Sequence, residues 1–395
     1  MNDVFRNKNL RFFWLAKVLF ELGHWMLFIA LPVWVYEATG SILDLSIMFS
    51  VQLIPGLIIN LIGGALIDDF NRKKVLVFLD AVTGFVVLYL AFLDVSKSLY
   101  LLYFFVFIKS VLSQLSDISR DAVLPDLVNK NKLVRVNSLL SVSESIIFFI
   151  GPLIGTLIIN LTNSQFLISI NALVYFGSAI FLLFIRINHV KVKETTVKGL
   201  VKNLAHGFKV VVQDKNLGLL FIVSGVFMIG QGFINVLGNV VFLENLLNQP
   251  SYFFGFLTSS QAIGEIIGGF LIMRSKSLNS KKLLSWGLII TGLFLVLTYS
   301  SGNFFWALIN ILLSGVFFSA VYVGRISYLQ NVVDKKLMGR ITSLNNSVNS
   351  LIGLLSTTSA WIIAELISSR FTLILAGLTY TISGLIALNL NKVKS

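Results

Sequence analysis

The sequence predicts an all-α membrane protein of twelve transmembrane helices, arranged as two pseudo-symmetric six-helix bundles with both termini in the cytosol. Three observations predict it. The 395 residues are 56% hydrophobic and 12% charged, about half the charge of a soluble domain, and the mean hydropathy is +0.87. Apolar runs close to the ~20 residues needed to cross a bilayer recur twelve times. Two distant loops also repeat each other at an offset of 205 residues. A net charge of +13 would suggest nucleic acid in a soluble protein. Here the placement of that charge assigns it to one side of a membrane, and no nucleic-acid partner is expected.

In order, the runs cover 10–36, 43–68, 74–94, 98–120, 136–160, 166–187, 217–243, 252–274, 282–300, 303–324, 341–366 and 371–390. The first is too long for the core of a signal peptide and lacks a small-residue cleavage site, so it is expected to stay as the first span. With the N-terminus inside, the inner segments collect Arg6, Lys8 and Arg11, then Arg72 to Lys74, Arg120, Lys130, Lys132 and Arg135, and the later clusters around 186–215, 274–282, 325–340 and 392–394. Of 31 Lys and Arg, Lys97 and Arg370 fall outside, and Lys17 and Lys109 fall within spans. That asymmetry orients both termini to the cytosol, in a multi-pass protein of the cell membrane. The chain has no cysteine, so neither a disulfide nor a thiolate metal site is available.

The polar stretch 188–216 divides a bundle over 1–187 from a bundle over 217–395. Within it Val197, Leu200, Val201, Leu204, Phe208 and Val211 recur at helical spacing with Lys198, Lys202 and Lys209 between them. This reads as an amphipathic helix lying on the inner membrane face. The two halves look duplicated. Arg120 and Arg135 are spaced as Arg325 and Arg340 are, and Arg135-Val-Asn-Ser138-Leu139 parallels Arg340-Ile-Thr-Ser343-Leu344. The same offset carries Gly63, Gly64, Leu66 and Ile67 onto Gly268, Gly269, Leu271 and Ile272.

The hairpin Gly63-Gly64-Ala65-Leu66-Ile67-Asp68-Asp69-Phe70-Asn71-Arg72-Lys73-Lys74 joins the second and third spans. Gly64 permits close approach of a neighbouring helix. Asp68 falls at a helix C-terminus, where the dipole disfavours a carboxylate, so it needs a partner. Arg72, four residues on, is one; the N-terminus of another helix, reached in one conformation only, is the other. Asp117 and Asp121, with Asp80, are candidates to complete the network around Arg72 and Asp68. The stretch resembles the loop motif of the major facilitator superfamily, Gly-x-Leu-x-Asp-Arg-x-Gly-Arg-Lys/Arg-x, carried here by Gly64, Leu66, Asp68, Arg72 and Lys73. Asp69 and Asn71 stand where that family often has Arg and Gly. Leu31-Pro32, Tyr36-Glu37-Ala38-Thr39-Gly40-Ser41, Ala122 to Val128 and Gly151-Pro152-x-x-Gly155 resemble the branch that includes macrolide-efflux proteins and enterobactin exporters. The resemblance implies two halves rocking about a midplane substrate path, and export. Met273 replaces Asp68 in the second copy, which puts the latch on one side only.

Ionisable residues inside spans are costly and mark functional candidates. Lys17, Glu21 and His24 share one face of the first span, flanked by Trp25 and Phe28, an aromatic lining suited to apolar cargo. Glu21 is the first choice for a proton-binding carboxylate. A partly dry cavity favours its neutral form, whereas Lys17, or Lys109 on the fourth span, favours the ionised one. A permanent Lys17–Glu21 pair that merely makes both insertable is the alternative. Glu144 shares a face with Phe148, Gly151 and Gly155, as an interdomain contact or a proton site. Glu265, near Gln261 and Gly268, is the candidate of the second half, for coupling or as a satisfied structural carboxyl. Gln231, Asn235 and Asn239 form a stripe on the seventh span, and Asn345, Asn346 and Asn349 cluster on the eleventh. These amides bond neighbouring helices or line a wet cavity, with the cavity favoured for the first stripe.

The function expected is therefore secondary active transport: proton-coupled efflux of amphipathic small molecules by alternating access. Export of a siderophore or other endogenous metabolite and facilitated uptake are the alternatives. No cofactor is expected, with the proton gradient as energy source; the expected partners are a small-molecule substrate, the bilayer and protons, and the expected state is a monomer. An enzyme is not expected: His24, His189 and His206 offer no metal cluster and no nucleotide-binding Gly-x-x-x-x-Gly-Lys-Ser/Thr loop is present.

Overall fold

A short polar side chain just before a helix satisfies its orphan N–H groups, and this chain uses that device repeatedly. In a computed structural model, α1 (Lys8–Thr39) is capped by Asn7 and α3 (Arg72–Ala91) by Asn71. Asn163 caps α6 (Ser164–Leu183) and Asp214 caps α7 (Lys215–Val236). Asn279 caps α9 (Ser280–Ser300) and Asn303 caps α10 (Phe304–Val332). Between them lie α2 (Ile42–Ile67), α4 (Leu99–Leu127), α5 (Leu133–Leu161) and α8 (Phe254–Arg274), with α11 (Met338–Ile367) and α12 (Ser369–Ala387) closing the order. The structure describes all residues except 1–6, 68–70, 96, 129–132, 187–207, 275–278, 334–336 and 391–395, and leaves undescribed the side chains of 60–67, 134 and 339. The expected amphipathic helix of the linker lies mostly outside the described residues; 208–213 are helical.

Among the described residues twelve helices are long and apolar enough to span a membrane. α1 ends at Gly40, whose φ of 61° lets its N–H reach Tyr36 O at 2.8 Å, a left-handed cap that an L side chain adopts reluctantly. α4 and α10 outrun the predicted spans, which stopped at 120 and 324. Arg120 and Arg325 consequently lie inside helices rather than in loops.

The described chain divides into two compact units, one of residues 1–40 and 51–197 and the other of 41–50 and 198–395. In the first, α1 packs on α5 and α6, and α3 on α4 and α6. In the second, α7 packs on α11 and α12, and α9 on α10 and α12. These are the same pairings. Adding 205 to the bounds of α4 gives those of α10, and adding it to α5 and α6 reproduces α11 and α12 to within one residue. Small residues let the helices close up where lipid offers no hydrophobic gradient between them. A Cβ on Gly264 or Gly268 of α8 would overlap the carbonyl of Leu312 or Val316 in α10, and one on Gly315 would overlap Gln261 O.

Candidate functional site

The spacing that puts Lys17, Glu21, His24 and Trp25 along one face of α1 turns that face toward α4 and α5 of the first unit. Lys17 Nζ lies 2.7 Å from Glu144 Oε1 of α5 and 3.7 Å from Glu21 Oε1. One ammonium is thus shared between two helices. A cavity of about 550 Å³ opens there, lined by Lys17, Glu21 and Trp25 together with Asp117 and Asp121 of α4 and Glu144 of α5. Phe148 and Ser145 complete its wall. α5 reaches α1 because Gly151 has no side chain: a Cβ there would sit 2.8 Å from Trp25 Cβ, and one on Gly155 would sit 3.6 Å from Ile29 Cβ. The Trp25 ring stands 4.4 Å from Phe148, 5.4 Å from Phe28 and 5.3 Å from His24, centroid to centroid. Trp14 Nε1 donates to Ser143 Oγ at 2.9 Å, a second tie between the two helices.

Glu144 is therefore a partner of Lys17 within the first unit. Four carboxylates face one ammonium in this cavity, so its field favours positive charge. Lys109, at 5% exposure, does not line it and forms no ion pair among the described residues.

Behind the cavity lies a network that the sequence did not announce. Arg120 of α4 pairs with Asp80 of α3. Ser116 Oγ donates to Asp80 Oδ1 at 2.7 Å, and Ser178 Oγ of α6 lies 2.6 Å from Asp80 Oδ2 and 2.9 Å from Ala16 O of α1. The guanidinium carbon sits 4.2 Å over the ring of Phe20, a cation–π contact. This corrects one expectation: Asp80, considered for the network around Arg72, pairs instead with Arg120, which is buried at 1% exposure.

At the hairpin, Asp68 lies outside the described residues, and Gly64 falls in the part of α2 whose side-chain surroundings are not described. Arg72 Nη1 donates to Asp126 Oδ2 at 2.9 Å and to Ala122 O at 2.7 Å. Lys73 Nζ donates to Leu183 O at 2.7 Å, at the C-terminus of α6, where the helix dipole welcomes a cation. Asp117 and Asp121, expected to join Arg72, instead face the cavity; the carboxylate from α4 that reaches Arg72 is Asp126. The reasoning that singled out Asp68 applies equally to Asp126, an acid in the last turn of a helix that needs a cation.

In the second unit the amide stripe is bonded within the helices. Gln231 Nε2 donates to Asn235 Oδ1 at 2.8 Å, and Tyr380 Oη of α12 donates to Gln231 Oε1 at 2.5 Å. Asn239 Nδ2 donates to Asn235 O at 2.8 Å. Asn239 also has φ −110° and ψ −108°, a non-helical kink inside the segment Leu237–Leu246 that follows α7. Gln231, Asn235 and Asn239 are thus bonded to one another and to Tyr380 of the neighbouring helix. Glu265 accepts from Gln261 Nε2 at 2.9 Å. No group of His, Asp and Glu among the described residues has the geometry to hold a metal.

Comparison with known proteins adds the following. The pattern described as Major Facilitator Superfamily matches residues 13–357. The chain is 22% identical to macrolide efflux protein A of Streptococcus pyogenes over 361 residues, covering 88% of each. It is 23% identical over 276 residues to an uncharacterized MFS-type transporter, YfmI, of Bacillus subtilis (strain 168), covering 67% of this chain and 66% of that one, just under two thirds of its length. Among solved structures, a mutant of the nucleoside transporter NupG superimposes with a TM-score of 0.79 at 13% identity, covering 98% of this chain and 100% of the other. A bacterial homologue of the iron transporter ferroportin, in an inward-facing state, gives 0.76 at 16% identity with 98% of each covered.

Proposed function

The chain belongs to the Major Facilitator Superfamily and is a multi-pass membrane transporter, not an enzyme, and from that premise we propose that it exports amphipathic small molecules in exchange for protons by alternating access. The cavity of the first unit carries this reading. Its carboxylates outnumber its one ammonium, and Trp25 and Phe148 supply an apolar wall, a combination suited to a cargo with a positive charge on an apolar body. Similarity over most of its length to macrolide efflux protein A supports the direction of transport, export.

Glu21 is the proposed coupling carboxylate. It sits at the far end of the Lys17 bridge, 3.7 Å from Nζ, while Glu144 holds the same ammonium at 2.7 Å. Neutralising Glu21 leaves Lys17 with Glu144, whereas the ionised form competes for it, so a proton on Glu21 and a cation in the cavity are alternatives. Glu144 and Glu265 remain secondary candidates. Export of an endogenous metabolite uses the same chemistry with a different cargo.

Proteoliposomes with an imposed pH gradient test this. Wild type is expected to accumulate a fluorescent cationic amphiphile, and Glu21→Gln to lose at least about tenfold of the gradient-driven rate while retaining substrate exchange without a gradient. Equal gradient-driven rates in the two proteins would remove Glu21 from coupling.

A further inference from the structure

On the second unit, α8 and α9 both pack on α10, and a groove of about 430 Å³ opens between them. Its floor is Val316, Phe317 and Ala320 of α10; Leu271 of α8 and Trp286 of α9 form its sides. Its depth is set by backbone. A Cβ on Gly268 would overlap Val316 O, and one on Gly287 would sit 3.0 Å from Val321 N, so both helices seat directly on α10. Trp286 remains 52% exposed, as befits an amphipathic ring near a membrane interface.

One end of the groove is polar. Lys282 and Asn279 line it. Asn279 Oδ1 accepts Lys282 N–H at 3.2 Å as the cap of α9, so the start of α9 and the ammonium border the same mouth. The helix start adds the positive end of its dipole. Charge nearby has a single sign: Arg274, Lys281 and Lys282 lie on these helix ends, and no Asp or Glu occurs from 266 to 333. These segments offer no carboxylate for the ammonium of a zwitterionic headgroup.

We propose that this groove is a binding site for an anionic phospholipid, with an acyl chain along the α10 floor and the phosphodiester against Lys282 and the start of α9. Generic attraction of basic loops to anionic headgroups accounts for charge alone. The shaped apolar slot continuous with that charge is what specifies a bound lipid. This site is separate from the transport cavity and stands whether or not the proton reading holds.

The test uses the full chain in phosphatidylcholine nanodiscs with increasing fractions of phosphatidylglycerol brominated on its acyl chain, reading tryptophan quenching. Subtracting a Trp286→Phe titration isolates Trp286. Quenching at Trp286 is expected to saturate at a lower fraction of brominated phosphatidylglycerol than of brominated phosphatidylcholine. Lys282→Ala should need about fivefold more of the anionic lipid, Lys282→Arg should titrate as wild type, and Ala320→Phe, which fills the floor, should lose saturation. Equal quenching by the two wild-type lipid titrations overturns the site without recourse to any variant. So does an unchanged titration in Lys282→Ala, or displacement by inorganic phosphate, which would mean an ion on Lys282 and no lipid in the groove.

Discussion

Asp80 and Arg120 have 0% and 1% of their side chains exposed, and a pair so placed is stabilising only while complete. Removing one partner strands a charge that the interior cannot solvate, at about 3 to 5 kcal/mol, whereas an apolar replacement of both is often neutral. Asp80→Ala is therefore expected to lower the melting temperature in detergent sharply, and Asp80→Leu with Arg120→Met to recover most of the loss. An Asp80→Ala protein as stable as wild type would mean that Ser178 and Phe20 alone satisfy the guanidinium. The contrast with Lys17 is instructive. Lys17, Glu21 and Trp25 could be read from helical spacing because they lie on one element. Asp80 and Arg120 lie on two, and a third, α6, supplies Ser178; no spacing within a single run reveals such a meeting.

Elements were legible in number and order but not at their ends. α4 and α10 run 29 residues each, about 43 Å, against about 30 Å of hydrocarbon. A hydropathy window ends where charges accumulate, at Asp117 and Arg120 in α4 and at Arg325 in α10, while the backbone continues as helix. The kink after α7 was equally hidden, because Gln231, Asn235 and Asn239 keep a helical period and only the dihedrals of Asn239 betray the break. Of the glycines repeated at the 205-residue offset, a Cβ on Gly268 would strike the α10 backbone while one on Gly269 would meet nothing, and the other close contacts fall on Gly264 and Gly315, outside the repeated pair. Since a side chain on Gly264 would strike the α10 backbone, Gly264→Leu is expected to abolish folded protein in the membrane. Gly269→Leu, where nothing lies within 4 Å, should express normally. Matching yields for the two variants, measured by size-exclusion chromatography, would contradict the close seating of α8 on α10.

Across the whole molecule the duplication is carried by helix bounds and by helix pairing alike, although few side chains were kept between the copies. Chemistry is distributed unevenly over the two. The first unit holds the cavity with Lys17, Glu21, Glu144, Asp117 and Asp121, and the second holds amides already bonded to each other and to Tyr380. The hairpin motif likewise exists in one copy, with Met273 in place of the second acid. Asp68→Asn is accordingly expected to reduce transport severalfold at unchanged membrane abundance, measured by uptake into vesicles beside an immunoblot. Unaltered transport would leave that hairpin as a topological signal only.

Four acids share the cavity with one lysine, so its lining tolerates added positive charge more readily than added negative charge. On the proposed reading, hydrons on those acids and a cationic cargo compete for the same place, and a tendency to trade one for the other is already written into the composition of the wall.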